Sequence, residues 1–204
     1  MTNPNERRLF SMKVITINRE YGAGGHSIGQ KVADAFGIEL YDKDIIRATA
    51  AEMNLDYAQV RNSEEEITRT ESFMRHITPI SYEFKDYLFD AQKNIILDLA
   101  KKGPCVIVGR CAEIILREAG IDSLNVFLYA DEAHKLPWVK QHIESDSDTE
   151  ALKFMRRQER ARKAYYEVYT DSQFGERHNY DIMLNSAKLG YDACAQIIIG
   201  LAKA

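Results

Sequence analysis

The chain has 204 residues, 45% of them hydrophobic and 28% charged, with a formal net charge of −4. That length holds one sizeable domain with a real core, and the composition excludes a disordered chain. The negative balance argues against a general nucleic-acid binder, and no run nears the roughly 18 apolar residues of a membrane helix.

Residues 1–12, MTNPNERRLFSM, are a polar leader without the apolar core of a secretion signal. VITI at 14–17 is a short β-branched run, as a buried parallel strand should be. A glycine-rich stretch follows, and then Ile28, Val32, Ala35 and Phe36 recur at helical spacing. IELY at 38–41 predicts a second strand. It leads into YDKDIIR at 41–47, where Asp42 and Arg47 flank a helix start and Asp44 is available as a cap. Residues 52–80, which include EEEITRTES, read as solvated helix or loop outside the core.

Phe84, Leu88, Ala91, Ile95, Ile96 and Leu99 predict a long helix that stops at Gly103-Pro104. Strands CVIV at 105–108 and VFLY at 126–129 follow, the first running into VIVGRC with Arg110 at its end. KQHIESDSDTE at 140–150 lacks periodic apolar residues and reads as an exposed connection, and the basic KFMRRQERARKAYYEVYT after it is helical in composition. IML at 182–184 predicts a last strand, and Tyr191–Ala202 a last helix with Ala195, Ile198, Ile199 and Ala202 on one side. Strands alternating with helices imply an α/β fold, a parallel sheet covered on both faces. Cys105, Cys111 and Cys194 are an odd number without CxxC spacing. They point to reduced thiols and a cytoplasmic setting, with no disulfide or zinc framework.

The stretch REYGAGGHS at 19–27 sits where strand passes to helix. Glycines let backbone N–H groups approach a ligand, and the helix that follows adds unpaired donors and a positive dipole end. Gly22, Ala23, Gly24, Gly25, His26 and Ser27 are therefore candidates to hold a phosphate, with the Ser27 hydroxyl able to reach Mg²⁺. Two rival readings stand beside this one. A dinucleotide fingerprint GxGxxG from Gly22 would need glycine at 27, where Ser27 stands, although Asp42 lies about 20 residues on as that fingerprint wants. A tight turn without ligand is the other. Asp42, Arg47 and Arg110 all follow strands, and parallel sheets bind ligands outside the carboxyl ends of their strands.

At these residues the sequence resembles the cytidylate kinase-like family of P-loop nucleoside monophosphate kinases, from Lys13 to the last helix. Gly22, Gly24 and Ser27 match the inner glycines and the hydroxyl of the family's GxxGxGKGT loop. Arg19 replaces its first glycine, Gly25 its lysine and His26 the glycine beyond. The resemblance implies a P-loop nucleoside triphosphate hydrolase-type three-layer α/β/α fold with about five parallel strands. It implies one kinase-like domain over 13–204, with an acceptor-binding insert near 42–80 and an arginine-rich lid near 140–172. The implied activity is transfer of the ATP γ-phosphate, with Mg²⁺, to a nucleoside monophosphate such as CMP.

Asp42 and Arg47 resemble the pair that positions the acceptor, at a spacing shorter by one residue, and Arg110 resembles the arginine holding the acceptor phosphate. Cys111 stands where the family's GRD segment has Asp. Arg156, Arg157, Arg160 and Arg162 resemble the lid that closes over the donor phosphates, and Asn185 and Ser186 fall near the donor base. Arg156, Arg160 and Lys163 with Glu159 also fit a solvated, salt-bridged helix face. With lysine absent from the loop, Arg19 or a lid arginine such as Arg157 or Arg160 is the candidate source of the missing charge. A second class of function stays open: the same fold binding a nucleotide as a sensor or structural partner and transferring nothing. Partners on either reading are small-molecule nucleotides, and oligomeric state is not readable.

Overall fold

The computed structural model describes residues 14–55 and 80–204. The leader and most of the charged 52–80 segment lie outside the described residues. Five strands run β1 Val14–Arg19, β2 Glu39–Tyr41, β3 Cys105–Val108, β4 Ser123–Tyr129 and β5 Ile182–Asn185. They form one sheet in the order β2-β3-β1-β4-β5, every pairing parallel. Between and after them lie α1 Gly25–Phe36, α2 Lys43–Glu52, α3 Ile80–Lys102, α4 Ala112–Glu118, α5 Glu132–His142, α6 Asp148–Tyr169, α7 Ser186–Leu189 and α8 Tyr191–Ala202. This is a P-loop α/β/α fold.

The central strands β1 and β3 are buried on both faces, which is why they read as continuous apolar runs and not as alternating ones. Val106 and Val108 pack with Ile15, Ile17, Ile28, Val32 and Ile198 on the face covered by α1 and α8. Cys105 and Ile107, one residue out of step, pack with Ile96, Ile115 and Leu116 on the opposite face, under α3 and α4. The period of two along β3 thus serves two cores at once.

β1 is the central strand, hydrogen-bonded to β3 on one side and β4 on the other. β4 begins at Ser123, earlier than its apolar run, because Ser123, Leu124 and Asn125 pair with Val14, Ile15 and Thr16. Helix α3 ends at Lys102, just before Gly103-Pro104, where a helix cannot continue. Helices α4 and α5 are absent from the sequence reading. The 140–150 stretch is connection only over 143–147, between α5 and α6. Among the described residues no helix is long and apolar enough to cross a membrane.

Candidate active site

The carboxyl ends of β1 and β3 open on a cleft of about 840 Å³, lined by residues of both strand exits, α2, α5 and α6. That volume suits a small-molecule ligand. The loop after β1 forms its floor. Gly24 is the N-cap of α1 in the left-handed region, φ 82, and has no side chain with which to cap the helix. Among the described residues no side chain accepts from the first-turn amides of α1, which leaves them open to an anion, reinforced by the helix dipole. A side chain at Gly24 would collide with the Tyr191 ring, so backbone alone can pass there.

The loop is held from behind. Ser186 Oγ, fully buried, donates to the Ala23 carbonyl at 2.9 Å. The Ala23 amide donates to the Glu20 carbonyl, so Ala23 supports the cradle and its N–H does not face the cleft. Lys135 donates through Nζ to Glu20 Oε2 at 2.9 Å, and its Cβ lies 3.1 Å from where a Cβ on Gly22 would sit. On the other flank Tyr21 N–H donates to Glu159 Oε2 at 2.7 Å, tying α6 to the loop.

Arg19 follows a path that two glycines make possible. A Cβ on Gly25 would stand 2.8 Å from Arg19 Cγ and 2.9 Å from Cδ, and one on Gly109 would overlap Arg19 Nη1. The stem therefore runs over the loop position where a lysine would begin, and the guanidinium reaches the exit of β3. There Arg19 Nη2 lies 3.5 Å from Asp42 Oδ1, with the two side chains only 17% and 15% exposed. Burial, and Arg110 next to it, lower the Arg19 pKa, while Asp42, Glu113 and Glu159 oppose that shift.

Asp42 occupies the N-cap position of α2 yet does not cap it. An unused cap forgoes roughly 1 kcal/mol. The carboxylate turns instead to Arg19 and to His26, whose Nδ1 donates to Oδ2 at 3.1 Å. A carboxylate can only accept, so His26 carries its proton on Nδ1. Arg47, also on the cleft, pairs with Asp44 at 3.0 Å. Ser27 is exposed in the first turn of α1 and lines the cleft.

After β3 the backbone passes through Gly109, Arg110 and Cys111 with φ of 78, 63 and 54. Left-handed geometry costs a non-glycine residue roughly 1–2 kcal/mol, and here it turns the chain so that Arg110 lines the cleft. Burial raises the Cys111 thiol well above its usual pKa, which keeps it a neutral wall. Beneath it Glu113 is buried and accepts at Oε1 from Asn18 Nδ2 at 2.9 Å and from the Tyr180 hydroxyl at 3.0 Å. Burial is the main cause raising its pKa. Sequence reasoning did not find Asn18, Glu113 or Tyr180; only proximity in space groups them.

The arginines of α6 separate by face. Arg162 lines the cleft: its Nη1 donates to the Arg19 carbonyl at 3.2 Å and its guanidinium lies 4.9 Å over the Tyr21 ring. Burial, then Arg19, depress its pKa to about 9. Arg156 binds Glu132 through two hydrogen bonds of 3.0 and 2.8 Å. Arg157 sits over Phe154, and both Arg157 and Arg160 are exposed and outside the cleft lining. Among the tyrosines of the same helix, Tyr165 and Tyr166 line the cleft, while Tyr169 stacks on Phe89 at 4.3 Å.

The profile of the cytidylate kinase-like family matches residues 14–188. Among solved structures, an uncharacterised protein from Eubacterium ventriosum ATCC 27560 is 26% identical with a TM-score of 0.69, over 94% of this chain and 99% of that one. Shikimate kinase from Bacteroides thetaiotaomicron is 14% identical with a TM-score of 0.58, over 95% of this chain and 99% of that one. Shikimate kinase from Acinetobacter baumannii, in complex with shikimate, is 13% identical with a TM-score of 0.54, over 97% of this chain and 96% of that one. At such identities the two shikimate kinases share the fold. No curated protein matches the chain.

Proposed function

The chain belongs to the cytidylate kinase-like family, and from that premise we propose that it moves the γ-phosphate of ATP to a nucleoside monophosphate such as CMP. The observation that carries this reading is the course of Arg19. Its stem covers Gly25, the loop position without lysine, and its guanidinium ends between the floor of the cleft and Asp42. A loop with no cation at the bridging oxygen would lose transition-state stabilisation of several kcal/mol. Arg19 returns that charge from the strand.

In this reading the open amides at the start of α1 hold the donor phosphates. Ser27 and water hold Mg²⁺, a cation that keeps much of its hydration and needs few protein ligands. Magnesium supplies charge neutralisation at the transferring phosphate. Arg110 holds the acceptor phosphate, Asp42 and Arg47 orient the acceptor, and Arg162 screens the developing charge. The terminal P–O bond of ATP breaks as the acceptor phosphate oxygen bonds to phosphorus, and ADP leaves. A phosphate acceptor is largely ionised at neutral pH, so no side chain has to remove a proton. That suits a cleft in which Asp42 is engaged by Arg19 and His26, and Asp44 by Arg47.

A module that binds nucleotide and transfers nothing is the second reading. Cys111 favours it, placing a neutral thiol where the family motif has a carboxylate. A coupled ATP-consumption assay across CMP, dCMP, UMP and AMP separates the two. Turnover on one acceptor supports the kinase; tight ATP binding with no turnover on any of them supports the module.

A further inference from the structure

The cleft has an aromatic wall that phosphoryl transfer does not require. Trp138 and His142, one turn apart on α5, stack with centroids 5.0 Å apart and planes at 8°. Tyr21 meets Trp138 edge-on at 5.7 Å and Phe154 of α6 at 5.9 Å. All four rings line the cleft. Cations cover two of them, Arg162 over Tyr21 at 4.9 Å and Arg157 over Phe154 at 5.3 Å.

Trp138 differs. It is 44% exposed, and among the described residues its ring contacts are His142 by stacking and Tyr21 by the edge. It stands half exposed on the wall of the cleft with His142 stacked against it, so the rest of the indole is accessible to a ligand in the cleft.

Position identifies the occupant. In the sheet order β2-β3-β1-β4-β5, the acceptor cluster of Asp42, Arg47 and Arg110 follows β2 and β3, on one side of the β1 loop. Helix α5 follows β4, on the other side, and packs directly on the loop where Gly22 faces Lys135 and Val139. A nucleotide with its phosphates on the loop and its base away from the acceptor therefore reaches α5.

We propose that Trp138, backed by His142, is the shelf on which the base of the donor nucleotide stacks, and that it selects by ring area. This inference rests on the nucleotide reading above. Stacking tolerates any base, since every base has a π face, and a purine covers more of an indole than a pyrimidine does. Gln158, which also lines the cleft, carries a donor and an acceptor on one amide and can serve either purine edge by turning over. ATP and GTP should thus bind alike and both tighter than CTP or UTP.

The chain contains a single tryptophan, so its fluorescence reports this wall and no other. The full-length protein is titrated with ATP, GTP, CTP, UTP and inorganic tripolyphosphate, with calorimetry alongside. ATP and GTP should quench Trp138, while tripolyphosphate binds without quenching. Trp138→Ala should weaken ATP roughly tenfold or more and leave tripolyphosphate unchanged, and Trp138→Phe should keep most of the affinity. The shelf is overturned if Trp138→Ala binds ATP as the parent does, if it loses both ligands equally, or if UTP binds as tightly as ATP. Should the parent bind neither ATP nor tripolyphosphate, the nucleotide reading falls and the shelf with it; should both bind regardless of residue 138, the shelf alone falls.

Discussion

Arg19 and Arg160 carry the same group and were both expected at the donor phosphates, yet the molecule treats them differently. Arg19 leaves the end of a central strand, is largely buried, and threads between two glycines to meet Asp42. Arg160 rides an exposed face of α6, outside the cleft lining. A strand end inside a sheet fixes direction through its neighbours, whereas a helix presents side chains all round and only its packing decides which of them count. Among the basic residues of α6, packing selects Arg162, the one that reaches the Arg19 carbonyl at the end of β1.

The sharpest break of that comparison is Arg19→Ala. If the strand arginine carries the charge, turnover should fall about 10²–10³-fold, measured by steady-state kinetics with the best acceptor. Gly109→Ala is the next test. Its Cβ would strike Arg19 Nη1 at a position with φ +78, so the guanidinium must move; turnover should fall by about tenfold or more while stability drops roughly 1–2 kcal/mol, read by denaturant unfolding. Arg162→Ala should lower turnover by a smaller factor, and Arg157→Ala and Arg160→Ala should leave it near the parent value. An Arg160→Ala loss as large as that of Arg19→Ala would reverse the ranking.

The smallest effect concerns Glu113, under the same strand ends. Its pKa is raised in the folded protein, so the fold binds a proton that the unfolded chain releases. Stability is then highest below the ordinary carboxyl range and declines as pH rises from that range towards the raised value. Glu113→Gln should flatten that decline in melting temperature, because Gln stays neutral and its carbonyl can still accept from Asn18 and Tyr180.

The strand runs were legible because each is short, β-branched or aromatic-rich and bounded by Gly, Pro, Asp or Asn. The sheet they build brings Asp42, Arg47 and Arg110 to one cleft. Helix α5 escaped because it lacks an apolar period and contains Pro137. One signal was present: Asp131, whose side chain accepts from the His134 amide at 2.8 Å as an N-cap. The choice of Arg162 over Arg157 and Arg160 was not legible, since it depends on Tyr21 and Glu159 docking α6 against the loop. Gly25 reads as part of a phosphate turn and Gly109 only as the residue before Arg110. That they also leave room for Arg19 is a property of two strand ends brought side by side, and no spacing along the chain encodes it.

The most direct test combines Arg19→Ala with Gly25→Lys and measures phosphoryl-transfer rate beside each single variant. In the parent a side chain at 25 would collide with the Arg19 stem, so Gly25→Lys alone should be impaired. With Arg19 removed, the lysine can enter the space and supply the same charge, and the double variant should recover much of the rate lost by Arg19→Ala. A double variant no faster than Arg19→Ala, or an Arg19→Ala protein with full turnover, would contradict the account.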